Sequence, residues 1–327
     1  SYYGPGNDPL KAYGKTTDLI AMGGAQYVHT FDKCLFMPSD LTAGLEYNRD
    51  RLKDNMWGYD RHTDQTVNIY SAFLQNEWKN ERWSILVGGR LDKHNMVDNI
   101  IFSPRANLRF NPTQNINLRL SYSSGFRAPQ AFDEDMHIEN VGGTVAMIER
   151  AKDLKEEKSQ SFSVSADMYH RFGAFQTNLL IEGFYTRLTD VFVLGKPYDR
   201  GDGILVKTRS NGPGAKVMGL TLEGKVAYLS ILQIQAGLTL QRSRYDEPHK
   251  WHDDAPAEKK IFRTPDTYGY FTATCTPVKP LSIALSGTYT GRMLVQRMDI
   301  TAENAELGEM PERKAEAIRT PRFFDLG

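Results

Sequence analysis

The chain has 327 residues, 40 of them Lys or Arg and 40 Asp or Glu. Formal neutrality leaves no basic excess to draw in a nucleic acid, and no run approaches the ~18 apolar residues of a membrane helix. Sixteen Tyr and 16 Phe favour strands, and the alternating strands of a barrel escape hydropathy averages. Ser1-Tyr2-Tyr3 opens the chain without a Met or a signal-peptide pattern, so it reads as the inside of a longer protein. Cys34 and Cys275 have no CxxC partner and read as small apolar strand residues, not as a metal or redox motif.

The charged stretch 49–64 reads as a long polar connection. Residues 65–78 then form a strand that reaches a tight turn at Lys79-Asn80-Glu81-Arg82. A second long connection falls at 94–98 and a second tight turn at Asn111-Pro112-Thr113-Gln114. Ile116, Leu118, Leu120 and Tyr122 alternate with Asn117, Arg119 and Ser121, as a strand with one apolar face requires. Pro129 cannot donate a ladder hydrogen bond and biases Ala128 toward extended backbone, so this strand should end at Phe126-Arg127-Ala128-Pro129. A loop over 126–157 follows, then a strand over 158–170 and a turn at Arg171-Phe172-Gly173-Ala174.

A hairpin tip is expected at 195–203, a strand at 204–228 and a turn at Tyr228-Leu229-Ser230. Residues 232–241 alternate again, 246–260 read as an irregular loop, and Pro277-Val278-Lys279-Pro280 as a turn. Strand 281–298, a long connection 299–320 and the beginning of a strand at Phe323-Phe324-Asp325 close the chain. Short and long connections thus alternate, the pattern of an up-and-down barrel with tight turns on one rim and large loops on the other. The expected fold class is all-β, an antiparallel transmembrane β-barrel of which about thirteen strands are present. Tyr59, Trp78, Trp83, Phe110, Tyr122, Phe172, Tyr228 and Tyr245 lie near strand ends, where a membrane barrel places its aromatic girdles.

An ordered set of motifs resembles the barrel portion of TonB-dependent outer-membrane receptors. It runs through Thr42 to Tyr47, Trp83 to Asp92 (WSILVGGRLD), Phe102 to Leu108 (FSPRANL) and Leu118 to Pro129 (LRLSYSSGFRAP). It continues through Asp153 to Ser159, Leu179 to Leu188, Asn211-Gly212, Val217 to Glu223 and Pro321 to Leu326. Glu156 stands where the family commonly has proline. The likeness spans essentially all 327 residues and implies a 22-stranded barrel around an N-terminal plug. That makes residues 1–327 a barrel fragment, with the plug, early strands and last strands outside it. It further implies the outer membrane of a Gram-negative bacterium and uptake of a ferric siderophore or another metal chelate, energised by TonB through the plug. Haem or cobalamin uptake is the alternative. No cofactor, no nucleic-acid partner and no enzymatic activity are implied, the lipid of the outer membrane being the remaining partner. A barrel enzyme or an adhesin would be the reading of another class, but the seven histidines are scattered, with no serine visibly paired to one.

Candidate ligand groups lie on the expected loops. Arg127 and His137 flank the acidic run Asp133-Glu134-Asp135, and receptors for haem have a histidine in a similar place; three carboxylates would, however, favour the protonated imidazole. Tyr198 and Arg200 occupy the 195–203 tip, where Arg suits an anionic siderophore. His249, Trp251 and His252 offer imidazoles and a stacking indole in the 246–260 loop. Each loop is also explained by turn formation and solvation alone.

Overall fold

Strict alternation over ten or more residues leaves a strand one apolar and one polar face, and a wide sheet results when such strands pair in sequence order. The computed structural model describes residues 14–56, 61–130, 139–141, 144–199, 201, 205–251, 255–300 and 313–327. Its strands begin with β1 (Gly14–Cys34), β2 (Met37–Met56), β3 (Arg61–Lys79), β4 (Trp83–His94), β5 (Ile101–Thr113) and β6 (Ile116–Arg127). Next come β7 (Glu139–Val141), β8 (Thr144–Arg150), β9 (Glu157–Phe172), β10 (Phe175–Thr189), β11 (Phe192–Asp199), β12 (Leu205–Asn211) and β13 (Ala215–Tyr228). The series ends with β14 (Leu232–His249), β15 (Glu258–Lys260), β16 (Thr267–Val278), β17 (Leu281–Thr290), β18 (Leu294–Ile300), β19 (Arg313–Arg319) and β20 (Phe323–Leu326).

Thirteen of these form one open antiparallel sheet in the order β1-β2-β3-β4-β5-β6-β9-β10-β13-β14-β16-β17-β20, with β15 added to β14. The expected strand count and up-and-down order are both met. Tight turns join β1 to β2, β3 to β4, β5 to β6, β9 to β10, β13 to β14 and β16 to β17, and the chain between the other neighbours of this sheet is longer. Gly173 takes its turn at φ 59° without strain, whereas Leu35 at 63° and Leu229 at 50° do so against their Cβ.

Register carries the faces across the sheet. The outward row Phe110, Leu118, Ala166, Ile181, Leu222 and Leu238 is apolar throughout, and Leu118, Leu222 and Leu238 are all exposed, as lipid-facing residues should be. At the tight-turn rim the same face carries ring pairs: Phe36 with Trp78 at 5.6 Å, Trp83 with Phe110 at 4.2 Å, and Phe175 with Tyr228 at 4.8 Å. These rings form an interfacial girdle as expected at Trp78, Trp83, Phe110 and Tyr228; Tyr245 is corrected, since its register with Ala215 turns it to the inward face, and Tyr59 lies outside the described residues.

The inward face is polar and internally bonded. Arg90 donates to Glu46 (3.0 Å), Asp92 (2.8 Å) and Ser71 (2.7 Å). Tyr270 lies opposite Gly237 and donates to Glu223 at 2.6 Å, while Gln235 donates to the Tyr270 hydroxyl at 2.7 Å and to Glu223 at 3.0 Å. Asn117, Arg119, Ser163, Asp167, Glu223, Lys225 and Gln235 all fall on this face by register.

Several sequence expectations about strand bounds are corrected. The stretch 49–64 is not a loop: β2 runs through Met56 and β3 starts at Arg61, paired from Arg49↔Asn68 to Met56↔Arg61. Its charges mark strands that continue beyond the bilayer, where an apolar outer face is not needed. Residues 204–228 are not one strand, because Gly212-Pro213-Gly214 separates β12 from β13, and Pro213 has no N–H for a ladder. Residues 281–298 likewise divide into β17 and β18, with β18 pairing β19 in a separate two-stranded sheet.

Candidate functional site

The long connections gather at the rim opposite the tight turns, and two of them build a structure of their own. Strands β11-β12-β8-β7 form a mixed four-stranded sheet in which β12 runs parallel to β8, from Leu205↔Ala146 to Arg209↔Arg150. Val206 is fully buried and Met147 nearly so, giving this sheet an apolar centre. Asn211 fastens its base: Nδ2 donates to the carbonyls of Lys155 (3.1 Å) and Asp190 (2.8 Å), and Oδ1 accepts from the Lys155 amide at 2.8 Å. The Asn211-Gly212 pair noted in the sequence is therefore a clasp between two connections.

β6 ends at Arg127, as Pro129 dictates. Ala128 is buried with Val97, Ile101 and Phe126 in a small apolar cluster. Beyond it, Arg150 Nη1 donates to the Pro129 carbonyl at 3.0 Å and to Gln65 Oε1 at 2.9 Å, pinning the loop sheet to β3. The Arg127 guanidinium lies 5.6 Å from the centre of the Phe192 ring, a cation–π contact. The Phe192 amide donates to Glu157 at 2.8 Å. Arg209, a buried residue, is the register partner of Arg150 across the parallel β12–β8 pair. Arg127, two residues before Pro129, completes a basic corner of the mouth.

His94 stands just above the outward cation Lys93, which marks the end of the lipid-facing part of β4. It is fully buried. Its Nδ1 accepts the Met96 amide at 3.0 Å, which leaves Nε2 to donate to Gln130 at 3.3 Å. Burial pushes its pKa below the ordinary imidazole range, opposed by the Gln130 contact and the Asp92 charge.

Of the groups named from sequence, Arg127 is at the basic corner and Tyr198 is exposed on β11. His249 ends β14 with its ring 5.7 Å from that of Tyr245, and burial pushes its pKa down as well. The end of β14 thus corrects the expectation of an irregular loop from 246. Trp251 meets Phe262 edge-on at 6.1 Å. His137, Arg200 and His252 lie outside the described residues. Arg150, Arg209, Gln65 and His94 escaped sequence reading, because their roles depend on pairings between distant segments.

The sequence matches, over residues 1–302, a family model described as TonB dependent receptor-like, beta-barrel. No curated protein matches it. Among solved structures it is similar to the siderophore receptor PirA from Acinetobacter baumannii, at 15% identity, TM-score 0.65, over 96% of this chain and 48% of that one. It is also similar to a variant of the ferric enterobactin receptor from Pseudomonas aeruginosa in complex with enterobactin, at 17% identity and TM-score 0.68, over 98% of this chain and 47% of that one. The FrpB iron transporter from Neisseria meningitidis matches at 13% identity and TM-score 0.60, over 94% and 47%. The chain therefore spans about half the length of these solved receptors.

Proposed function

The chain belongs to the TonB-dependent receptor-like β-barrel family, and from that premise we propose that it builds the wall of an outer-membrane receptor that takes up a ferric siderophore with energy delivered through TonB. One observation carries the choice of cargo: three arginines serve the rim around Pro129, Arg127 over the Phe192 ring, Arg150 on the Pro129 carbonyl and Arg209 buried as the register partner of Arg150. A ferric chelate built on oxygen donors is anionic, and planar guanidinium forks match its oxygens better than lysine does. The siderophore and iron receptors among the solved relatives support the same reading.

Haem uptake is the second reading, favoured by His249. Burial keeps its imidazole neutral, the form that ligates iron. Growth of a strain deleted for the full-length gene, on single iron sources, separates the two. Rescue restricted to a ferric siderophore, and weakened by Arg127→Ala, supports the first. Rescue by haem alone, lost in His249→Ala, supports the second and overturns the first.

A further inference from the structure

Three arginines descend the inward face of β5 and β6. Arg105 is the register partner of Ser123, and Arg109 that of Arg119. On β6 the positions of Arg127, Ser123 and Arg119 are four residues apart, so cations recur about every 14 Å from the mouth toward the tight-turn rim. The inward positions of β6 between its own two arginines are small and uncharged: Gly125, Ser123 and Ser121.

Elsewhere on this face cations are neutralised, Arg90 by Glu46 and Asp92, Lys79 by Asp40 and Lys225 by Glu223. The three descending arginines are not. Arg105 donates to the amide oxygen of Gln75, and Arg119 to that of Asn117 at 2.7 Å. Arg109 makes no hydrogen bond among the described residues, although its Nε is shielded from solvent. None of the three is ion-paired among those residues. Two carboxylates within two strands of the column take neutral donors instead. Glu77 accepts from Ser84 at 2.6 Å, and Asp167 accepts from Tyr169 at 2.9 Å and from Asn178. Glu182 shares the Arg119 row but stands beyond Ser165, two strands and about 10 Å away. Like charges directly opposite destabilise an antiparallel pair. Arg109 facing Arg119 therefore carries a cost that an anion shared between them removes.

We propose that this column is an anion relay. The negatively charged ferric chelate, once past the mouth, moves from Arg105 to the Arg109–Arg119 pair on its way to the tight-turn side, where such barrels face the periplasm. The proposal rests on the anionic-cargo reading above and adds the route along the wall. Neutral partners suit the task. A guanidinium committed to a carboxylate has no free fork, whereas one resting on an amide gains by exchanging it for an anion. Several weak sites let an ion enter and leave, as a single tight one does not. Repetition along the strands favours a moving occupant over a fixed acidic neighbour, which would need its own carboxylate at each height.

The test compares cells making the full-length receptor with cells making Arg105→Gln/Arg109→Gln/Arg119→Gln. Both receive radioactive iron as a ferric tris-catecholate and as ferric citrate, two anionic chelates. Surface binding with the energy supply blocked should be unchanged. Uptake should slow about tenfold, the lower end of what a cleft lined by one sign of charge contributes. Arg105→Lys/Arg109→Lys/Arg119→Lys should keep most of the rate. Uptake by the glutamine variant equal to that of the unaltered receptor overturns the relay. So does a new sensitivity of that variant to a large hydrophilic antibiotic, which would mark the arginines as a contact for the plug. Should the triple variant fail to fold, Arg109→Gln breaks no hydrogen bond among the described residues and must still slow uptake; an unchanged rate overturns the relay as well. An unaltered receptor that binds neither chelate sinks the anionic-cargo reading and the relay together, whereas normal uptake by the variants sinks the relay alone.

Discussion

Replacing Gly237 with alanine presses a methyl group into the ring of Tyr270. A Cβ at position 237 would meet Tyr270 Cε1 at 2.6 Å and Cζ at 3.1 Å, so the ring must tilt away. Its hydroxyl then leaves Glu223 and Gln235, at 2.6 and 2.7 Å. A hydrogen bond to a carboxylate contributes about 1.5–3 kcal/mol and a neutral one about 1. Lys225 at 3.3 Å still compensates Glu223, and the group is only part-buried, so a net cost of about 2–3 kcal/mol is expected. The sign is informative, because alanine in place of a strand glycine would otherwise stabilise by about 0.5–1 kcal/mol. Denaturant unfolding of the full-length receptor in detergent reads the difference, and a cycle with Tyr270→Ala isolates its origin. If Gly237→Ala is neutral, or costs as much without the Tyr270 ring as with it, the explanation through Tyr270 is wrong.

Asn211→Ala should loosen the loop sheet by about 1–3 kcal/mol, seen as faster hydrogen exchange over Leu205–Asn211 with the main sheet unchanged; equal exchange would show the clasp to be idle. His94 has a depressed pKa in the closed rim, so its contribution is complete above the unfolded value of about 6.5 and is lost as pH falls through the folded one. Acidification should therefore speed exchange at residues 126–130, corrected for intrinsic rates, and His94→Gln should flatten that response. Leu229→Asn, at φ 50°, should stabilise by about 0.5–1 kcal/mol, since asparagine tolerates the left-handed region better; a lower unfolding midpoint would count against strain at that turn.

Much of the wall was legible because lipid imposes a simple rule on one face of every spanning strand. Leu118, Leu120 and Tyr122, or Leu220, Leu222 and Leu238, declare their strands without help from distant residues. The rule lapses beyond the bilayer. There Arg49, Arg51 and Lys53 alternate with Asp50, Leu52 and Asp54, so both faces carry charge and the strand reads as a loop. Gly212-Pro213-Gly214 did carry a stop signal that the long run 204–228 obscured. The loop sheet was out of reach for a different reason: Leu205 and Ala146 are 59 positions apart, and no local pattern specifies that they pair in parallel. Arg127 was found because it adjoins a proline that ends a strand. Arg150 and Arg209 were missed because only that long-range pairing brings them together.

The parallel seam between β8 and β12 also bears on how the protein can vary. Each connection supplies the other with a neighbour for its backbone, and Asn211 on one holds Lys155 on the other. Neither connection can be exchanged alone without leaving an unsatisfied edge in its companion. Recombination or engineering that aims to change the rim must therefore move the two as a matched set.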